Sequence, residues 1–205
     1  MHVEFETDLF PVVRAKFFRD VLERRPVRLI VIHSMEAPEK GDTAENVARF
    51  FQNPGKLNGK DRKVSAHLCV DNNSIVQCVF DNDVAFAAPG ANNDGIQIEL
   101  AGFARQTRKE WLDPFGVMML DNAANATAQY CLKYNIPIKH LTNAELRNKD
   151  MKGIIGHSQA TRVFKQSTHT DPGKGFPWDV FLERVAHHHA LRFAKFQQLL
   201  IPVPA

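Results

Sequence analysis

At 205 residues the chain is long enough for one ample core and asks for no second domain. Its composition, 44 % apolar and 24 % charged, is that of an ordinary globular protein, and no run approaches the ~20 apolar residues of a membrane span. A net charge of +3 suits approach to an anionic polymer such as a bacterial wall, but without a stripe of Arg and Lys interleaved with aromatics it argues against nucleic acid as partner.

Three cysteines, Cys69, Cys78 and Cys131, are an odd number, each embedded in apolar sequence. That pattern reads as reduced core thiols, not as a disulfide framework or a zinc ribbon. The start, Met-His-Val-Glu-Phe-Glu-Thr-Asp, has no basic leader and no apolar stretch behind it, so no secretory signal is expected. A protein acting on a cell wall would then need another route out.

In chain order, Pro11 to Arg25 carries Val13, Phe17, Val21 and Leu22 at helical spacing between charges, which predicts an amphipathic helix ended by Pro26. Leu29 to Ile32 reads as a buried strand with His33 at its end, on the rim where the sites of open α/β sheets lie. Asp42 or Thr43 can cap a helix whose buried stripe is Ala44, Val47, Ala48 and Phe51. Residues 53–62 are dense in turn formers and predict a loop; its basic residues, with Lys63, either touch an acidic substrate or are simply solvated.

Val64 to Val70 and Ser74 to Phe80 predict a hairpin turned at Asp71-Asn72-Asn73, with His67 in mid-strand, beside a site and not a ligand in it. Gly95 to Leu100 places Ile96, Ile98 and Leu100 on one face of a strand and Gln97 and Glu99 on the other. A glutamate in so apolar a strand is expensive unless it faces solvent, is hydrogen-bonded or lies near a cation. Beside a metal it would serve as general base.

Asp113-Pro114 opens a long helix to about Tyr134, and Thr142 caps a short one. His140 between them reads as structural. Pro177 opens the last helix, which contains His187, His188 and His189. Successive helix positions point about 100° apart, so these three cannot share one ion. Residues 201–205 read as a stiff, extended end, the start of a linker.

Two further segments supply metal-ligand chemistry. Gly153-Ile-Ile-Gly-His157 ends an apolar run on a histidine, with a polar loop expected after it, and Asp171 is pinned by Pro172 and Gly173. Catalytic zinc takes about three protein ligands and leaves one position open. His33 is the best third donor. Each histidine alone could be a satisfied residue near the core, whereas the three-segment pattern is much less expected by chance.

Taken together, Ile-Val-Ile-His33, Val-Ser-Ala-His67, Gly-Ile-Gln-Ile-Glu99-Leu, Gly-His157-Ser and Thr-Asp171-Pro-Gly followed by Phe-Pro-Trp178 resemble the type-2 N-acetylmuramoyl-L-alanine amidases. These are the zinc amidases of phage endolysins and wall recycling, related to the peptidoglycan recognition proteins, and the resemblance runs over about residues 27–183. It implies an α/β fold with a central mixed β-sheet flanked by helices; with the N-terminal helix outside the matched region, the chain reads as one zinc amidase domain over residues 1–200, with 1–26 as a helical extension. The resemblance implies zinc on His33, His157 and Asp171, Glu99 at the catalytic-acid position, and hydrolysis of the amide between N-acetylmuramic acid and L-alanine in bacterial peptidoglycan.

His169 stands where many relatives carry a lysine, two residues before the aspartate, in the position that steadies the oxyanion, and Ala66 where some carry a tyrosine. The expected context is a monomeric phage endolysin domain, made in the host cytoplasm and released to the wall by a holin, with no nucleic-acid or membrane partner. Two rival readings are a non-catalytic peptidoglycan receptor on the same fold and a zinc peptidase cutting within the stem peptide.

Overall fold

Leu29-Ile-Val-Ile is apolar on both faces, and only a strand covered on both sides can bury such a run. A computed structural model, which describes residues 10–199, buries all four residues completely. In chain order the elements are β1 (Leu29–Ser34), α1 (Thr43–Gln52), β2 (Lys56–Leu57), β3 (Lys60–Asp61), β4 (Leu68–Val70), β5 (Ile75–Gln77) and β6 (Gly95–Leu100). They continue with α2 (Arg108–Trp111), α3 (Pro114–Tyr134), α4 (Asn143–Arg147), β7 (Gly153–Gly156), α5 (His157–Phe164) and α6 (Trp178–Leu199). No helix among the described residues is long and apolar enough to cross a membrane.

Five strands form one mixed sheet in the order β5-β4-β6-β1-β7, parallel except for the β4–β5 hairpin. Ile30, Ile32, Ile96, Ile98 and Leu100 point to one face, where they pack with Met119, Leu120 and Ala123 of α3 and Phe181 of α6. The small residues of α3, Ala123 and Ala124 among them, bring that helix close to the sheet. Leu29, Val31 and Ile155 point the other way, against Leu141 and Ala160. Alternation therefore assigns His33, Gln97 and Glu99 to the face away from α3.

Two expectations are overturned. Residues 11–27 form no helix; they run extended along the β5 side of the sheet, with Val13 N–H donating to Gln77 O, Ala15 N–H to Cys78 O, and Gln77 N–H to Pro11 O. An edge strand offers unpaired donors and acceptors, and this segment satisfies them. Leu22, assigned to the buried stripe of a helix, is 97 % exposed, while Arg14 pairs with Asp83 and lies over the Phe18 ring at 3.9 Å. Second, the polar loop expected after His157 is the helix α5, started where Gly156 N–H donates to Gln159 Oε1 at 3.0 Å. Within 53–62, β2 and β3 pair as a small hairpin turned at Asn58 and Gly59, both at positive φ. The extended end at 201–205 lies outside the described residues, as do residues 1–9.

All three cysteines are buried free thiols. His67 is buried too: its Nδ1 accepts from Gln97 N–H at 2.9 Å, and its Nε2 lies 3.1 Å from Asp83 O and 3.0 Å from Arg25 Nη2. Burial, and then the Arg25 charge, push its pKa down to about 3. The unfolded chain therefore takes up a proton below about pH 6.5 that the folded chain refuses until about pH 3. This contribution to stability is intact above 6.5 and lost as pH falls through that window, by about 1.4 kcal/mol per pH unit at most. Urea denaturation from pH 7 to 4 should give a shallower loss of stability for His67→Gln than for the parent chain, and equal slopes would remove His67 as the cause.

Candidate active site

Strand register builds most of the site. In the β1–β6 ladder His33 is the direct neighbour of Glu99, and in the β1–β7 ladder Ile32 pairs with Gly156, so that His157 follows in the row of His33. Glu99, His33 and His157 thus stand side by side on the carboxyl rim of three parallel strands, where sites in such sheets gather.

Asp171 arrives by another route. Its backbone carbonyl accepts from Ser158 N–H at 2.8 Å, in the first turn of α5, and this bond closes the long segment between the two residues. Behind it, Gly173 has φ +92°, and a Cβ there would lie 1.8 Å from Ala104 O. The chain can thus turn tightly against residue 104 after presenting the carboxylate. Gly173→Ala should cost about 2 kcal/mol or more, from left-handed strain and overpacking together, and a thermal melt that matched the parent would refute this account.

The three side chains converge. His33 Nδ1 lies 3.1 Å from Asp171 Oδ2, and His157 Nδ1 lies 3.2 Å from Asp171 Oδ1. One ligand atom from each of His33, His157 and Asp171 falls within 4.8 Å of the others, and all three residues are buried. A single divalent ion can occupy such a space.

The outward nitrogens of both rings are held. His33 Nε2 lies 2.9 Å from Gln97 Oε1, and the Gln97 amide is oriented by its own Nε2–H donating to Ala91 O at 3.0 Å. His33 Nε2 must therefore carry the proton, which leaves Nδ1 as the nitrogen that faces Asp171. His157 Nε2 lies 3.3 Å from Ser167 Oγ, which is 2.5 Å from Thr161 Oγ1. The sequence assigned no role to Gln97 or Ser167. Gln97 could have been suspected, since alternation puts it on the face of Glu99.

The electrostatics show a site short of positive charge. Burial opposes a charged His33, yet Glu99 and Asp171 beside it push its pKa up to about 9. Asp171 is itself held well below the usual carboxylate range: burial works against this, but His157 and His33 outweigh it. The His157 imidazole is lowered by burial. Glu99 is pushed up to about 7 by burial and by the charges of Asp171 and Glu36, against the pull of His33. Its Oε1 is 3.9 Å from His33 Nδ1, and its Oε2 is buried with no hydrogen-bond partner among the described residues. The anionic Asp171 and two imidazole nitrogens turned inward are a donor set a divalent cation fits, with the orphaned Glu99 oxygen beside it.

His169 covers the outer side. Its ring stacks on that of His157 at 4.5 Å, and its Nδ1 is 3.4 Å from Asp171 Oδ1 with 63 % of the side chain exposed. The remaining histidines among the described residues are elsewhere. His140 stacks on Trp178 at 3.8 Å and meets Gln159 Oε1, a structural place, and His188 pairs with Asp121. His67 lies beneath Gln97, away from the groove wall.

These groups open into a cleft of about 440 Å³. Its far wall is apolar, from Val47, Phe50 and Phe51 of α1 with Val64 and Phe86, and Arg62 closes it with its guanidinium 5.0 Å from the Phe50 ring. One residue of the basic loop thus reaches the cleft, while Lys56 and Lys60 are exposed. A charged, partly hydrated end beside an apolar wall suits a substrate that combines polar and apolar parts.

Comparison with known protein families finds one whose description is N-acetylmuramoyl-L-alanine amidase, matched by residues 23–174. Comparison with curated proteins by sequence gives no match. Among solved structures, the Staphylococcus aureus hydrolase AmiA in complex with its ligand superposes with a TM-score of 0.64 at 13 % identity, covering 93 % of this chain and 87 % of AmiA. An AmpD crystal structure gives 0.62 at 19 % identity, covering 90 % and 99 %. The endolysin N-acetylmuramoyl-L-alanine amidase LysCS from Clostridium intestinale gives 0.52 at 16 %, covering 89 % and 98 %. At such identities the likeness to these structures is one of fold.

Proposed function

The chain belongs to the N-acetylmuramoyl-L-alanine amidase family, and on that premise we propose that it is a zinc-dependent hydrolase of the amide between N-acetylmuramic acid and L-alanine in bacterial peptidoglycan. His33, His157 and Asp171 would hold the metal. The observation that carries the reading is their convergence within 4.8 Å, next to a buried glutamate oxygen without a partner.

Zinc bound there would polarise the scissile carbonyl and favour attack by water near neutral pH. The protein supplies the rest. Glu99, beside the ligands with one buried oxygen free of partners among the described residues, takes the proton of the attacking water and returns it to the leaving L-alanine amine. His169, exposed at the mouth, offers an N–H to the developing oxyanion, in the place of the lysine of many relatives. Ala66 is buried among the α1 and hairpin side chains and brings no acid, so proton transfer falls to Glu99. The apolar wall and Arg62 receive the stem peptide.

The same reading takes the chain as a single catalytic domain over residues 1–200 that acts as a monomer in lysing a host wall. The fold shared with LysCS and the mild positive charge support it.

Glu99→Gln should keep its zinc and lose roughly 10²- to 10⁴-fold in turnover on purified peptidoglycan, whereas Asp171→Ala should lose the metal itself. Metal analysis with product mass spectrometry checks both. Release of peptides that begin with a free L-alanine amine, with the glycan left intact, marks the amidase, and cuts inside the stem peptide would replace it with a peptidase. Gln97→Leu removes the acceptor that fixes His33, and zinc affinity in competition with a chelator should fall by about 10- to 100-fold while Gln97→Glu retains most of it. Equal affinity in Gln97→Leu and the parent would leave Gln97 with no part in holding the ligand.

A further inference from the structure

A second concavity opens at the other rim of the sheet, where the parallel strands begin. It encloses about 690 Å³, and Arg24, Arg25, Arg28, Lys133, Lys149 and Lys152 line it with Asp150 as the one acidic residue in the wall. These cations come from the segment entering β1, the last turn of α3 and the loop before β7. Four residues of β1, Leu29 to Ile32, stand between Arg28 on this rim and His33, a separation of roughly 15–20 Å.

The local counter-charges fall short. Arg28 pairs with Asp94 at 2.6 Å, Lys149 approaches the same carboxylate at 3.7 Å, and Lys133 pairs with Asp81 at 2.7 Å. Arg25 is consumed by the carbonyls of Asp81, Asn93 and Gly95, and Lys152 by that of Tyr134. Six cations line the hollow against Asp150 alone in its wall, with Asp81 and Asp94 as the carboxylates paired from behind. Arg24 is exposed and has no carboxylate partner among the described residues; Lys149 is 65 % exposed, and Arg28 Nη2 is buried without an acceptor. Gathering like charges in one hollow destabilises the fold unless an anion is to be met there.

We propose that this hollow binds the phosphate groups of a linear anionic polymer, as an anchor separate from the catalytic cleft. Arginine forks and mobile lysine ammonium groups together match phosphate oxygens. A concave wall whose apolar members are Pro26, Val27 and Tyr134, with Val27 buried, offers nothing to insert into a bilayer. The Tyr134 hydroxyl is tied to Asp81 at 2.6 Å and its ring stacks on Tyr130, so it makes no platform for nucleobases.

The probe is a short linear polyphosphate, measured by calorimetry with the full chain over a series of salt concentrations. Arg24→Glu with Lys149→Glu should weaken binding roughly tenfold or more and flatten the dependence of affinity on salt, with hydrolysis of a soluble muramoyl-peptide unchanged. A second variant, Lys109→Glu with Lys195→Glu, makes the same change in net charge at exposed positions elsewhere and should bind like the parent. Both variants alter exposed side chains, and their melting curves verify the fold. Absence of binding by the parent at low salt, equal loss in the two variants, or tighter binding to phosphatidylglycerol vesicles than to polyphosphate would each overturn the proposal.

Discussion

The register of β1 between β6 and β7 is the constraint on which the rest of the molecule depends. It is set by the apolar side chains that face α3, since sliding β1 by a single residue would turn Ile30 and Ile32 out of the core. That same register puts Glu99 against His33 and His157 in the same row. The geometry of the polar cluster is thus inherited from packing on the other face of the sheet. No loop has to find its position for these three residues.

Asp171 is held differently, through its backbone bond to Ser158. Because the carboxylate is anchored at the first turn of α5, the residues between do not have to measure a distance. The imidazoles are then aimed by neighbours one layer out: Gln97 for His33, Ser167 for His157. Gln97 in turn rests on His67 through its backbone N–H, and His67 lies against Arg25. A chain of buried polar contacts runs from the N-terminal segment to the ligand row, and each member is satisfied by the next.

How much of this was legible follows from where each signal lies. The strands of the five-stranded sheet, the long α3 and the rim position of His33 are written in local periodicity, and Glu99 in the cost of placing a carboxylate in an apolar strand, whereas the short β2–β3 hairpin reads as a loop. The N-terminal segment misled because apolar residues at 13, 17 and 21 are spaced for a helix, while its fate was decided by an open sheet edge more than fifty residues away in sequence. Helix α5 was hidden by its polar first turn, His-Ser-Gln, whose start depends on a side-chain bond from Gln159. The links of Gln97 to His33 and of His67 to Arg25 span 64 and 42 residues, distances over which local pattern says nothing.

The N-terminal segment has one more effect. On the far side of the sheet, β7 receives equivalent cover, with Ile154 N–H donating to Lys139 O and Leu141 N–H to Ile154 O. Both outer ladders are therefore occupied by short irregular strips of the same polypeptide, each too irregular to act as a template. In a crowded solution another molecule finds the borders of the five-stranded sheet already occupied at these contacts, so that sheet resists fibrous self-association by the same contacts that hold its borders together.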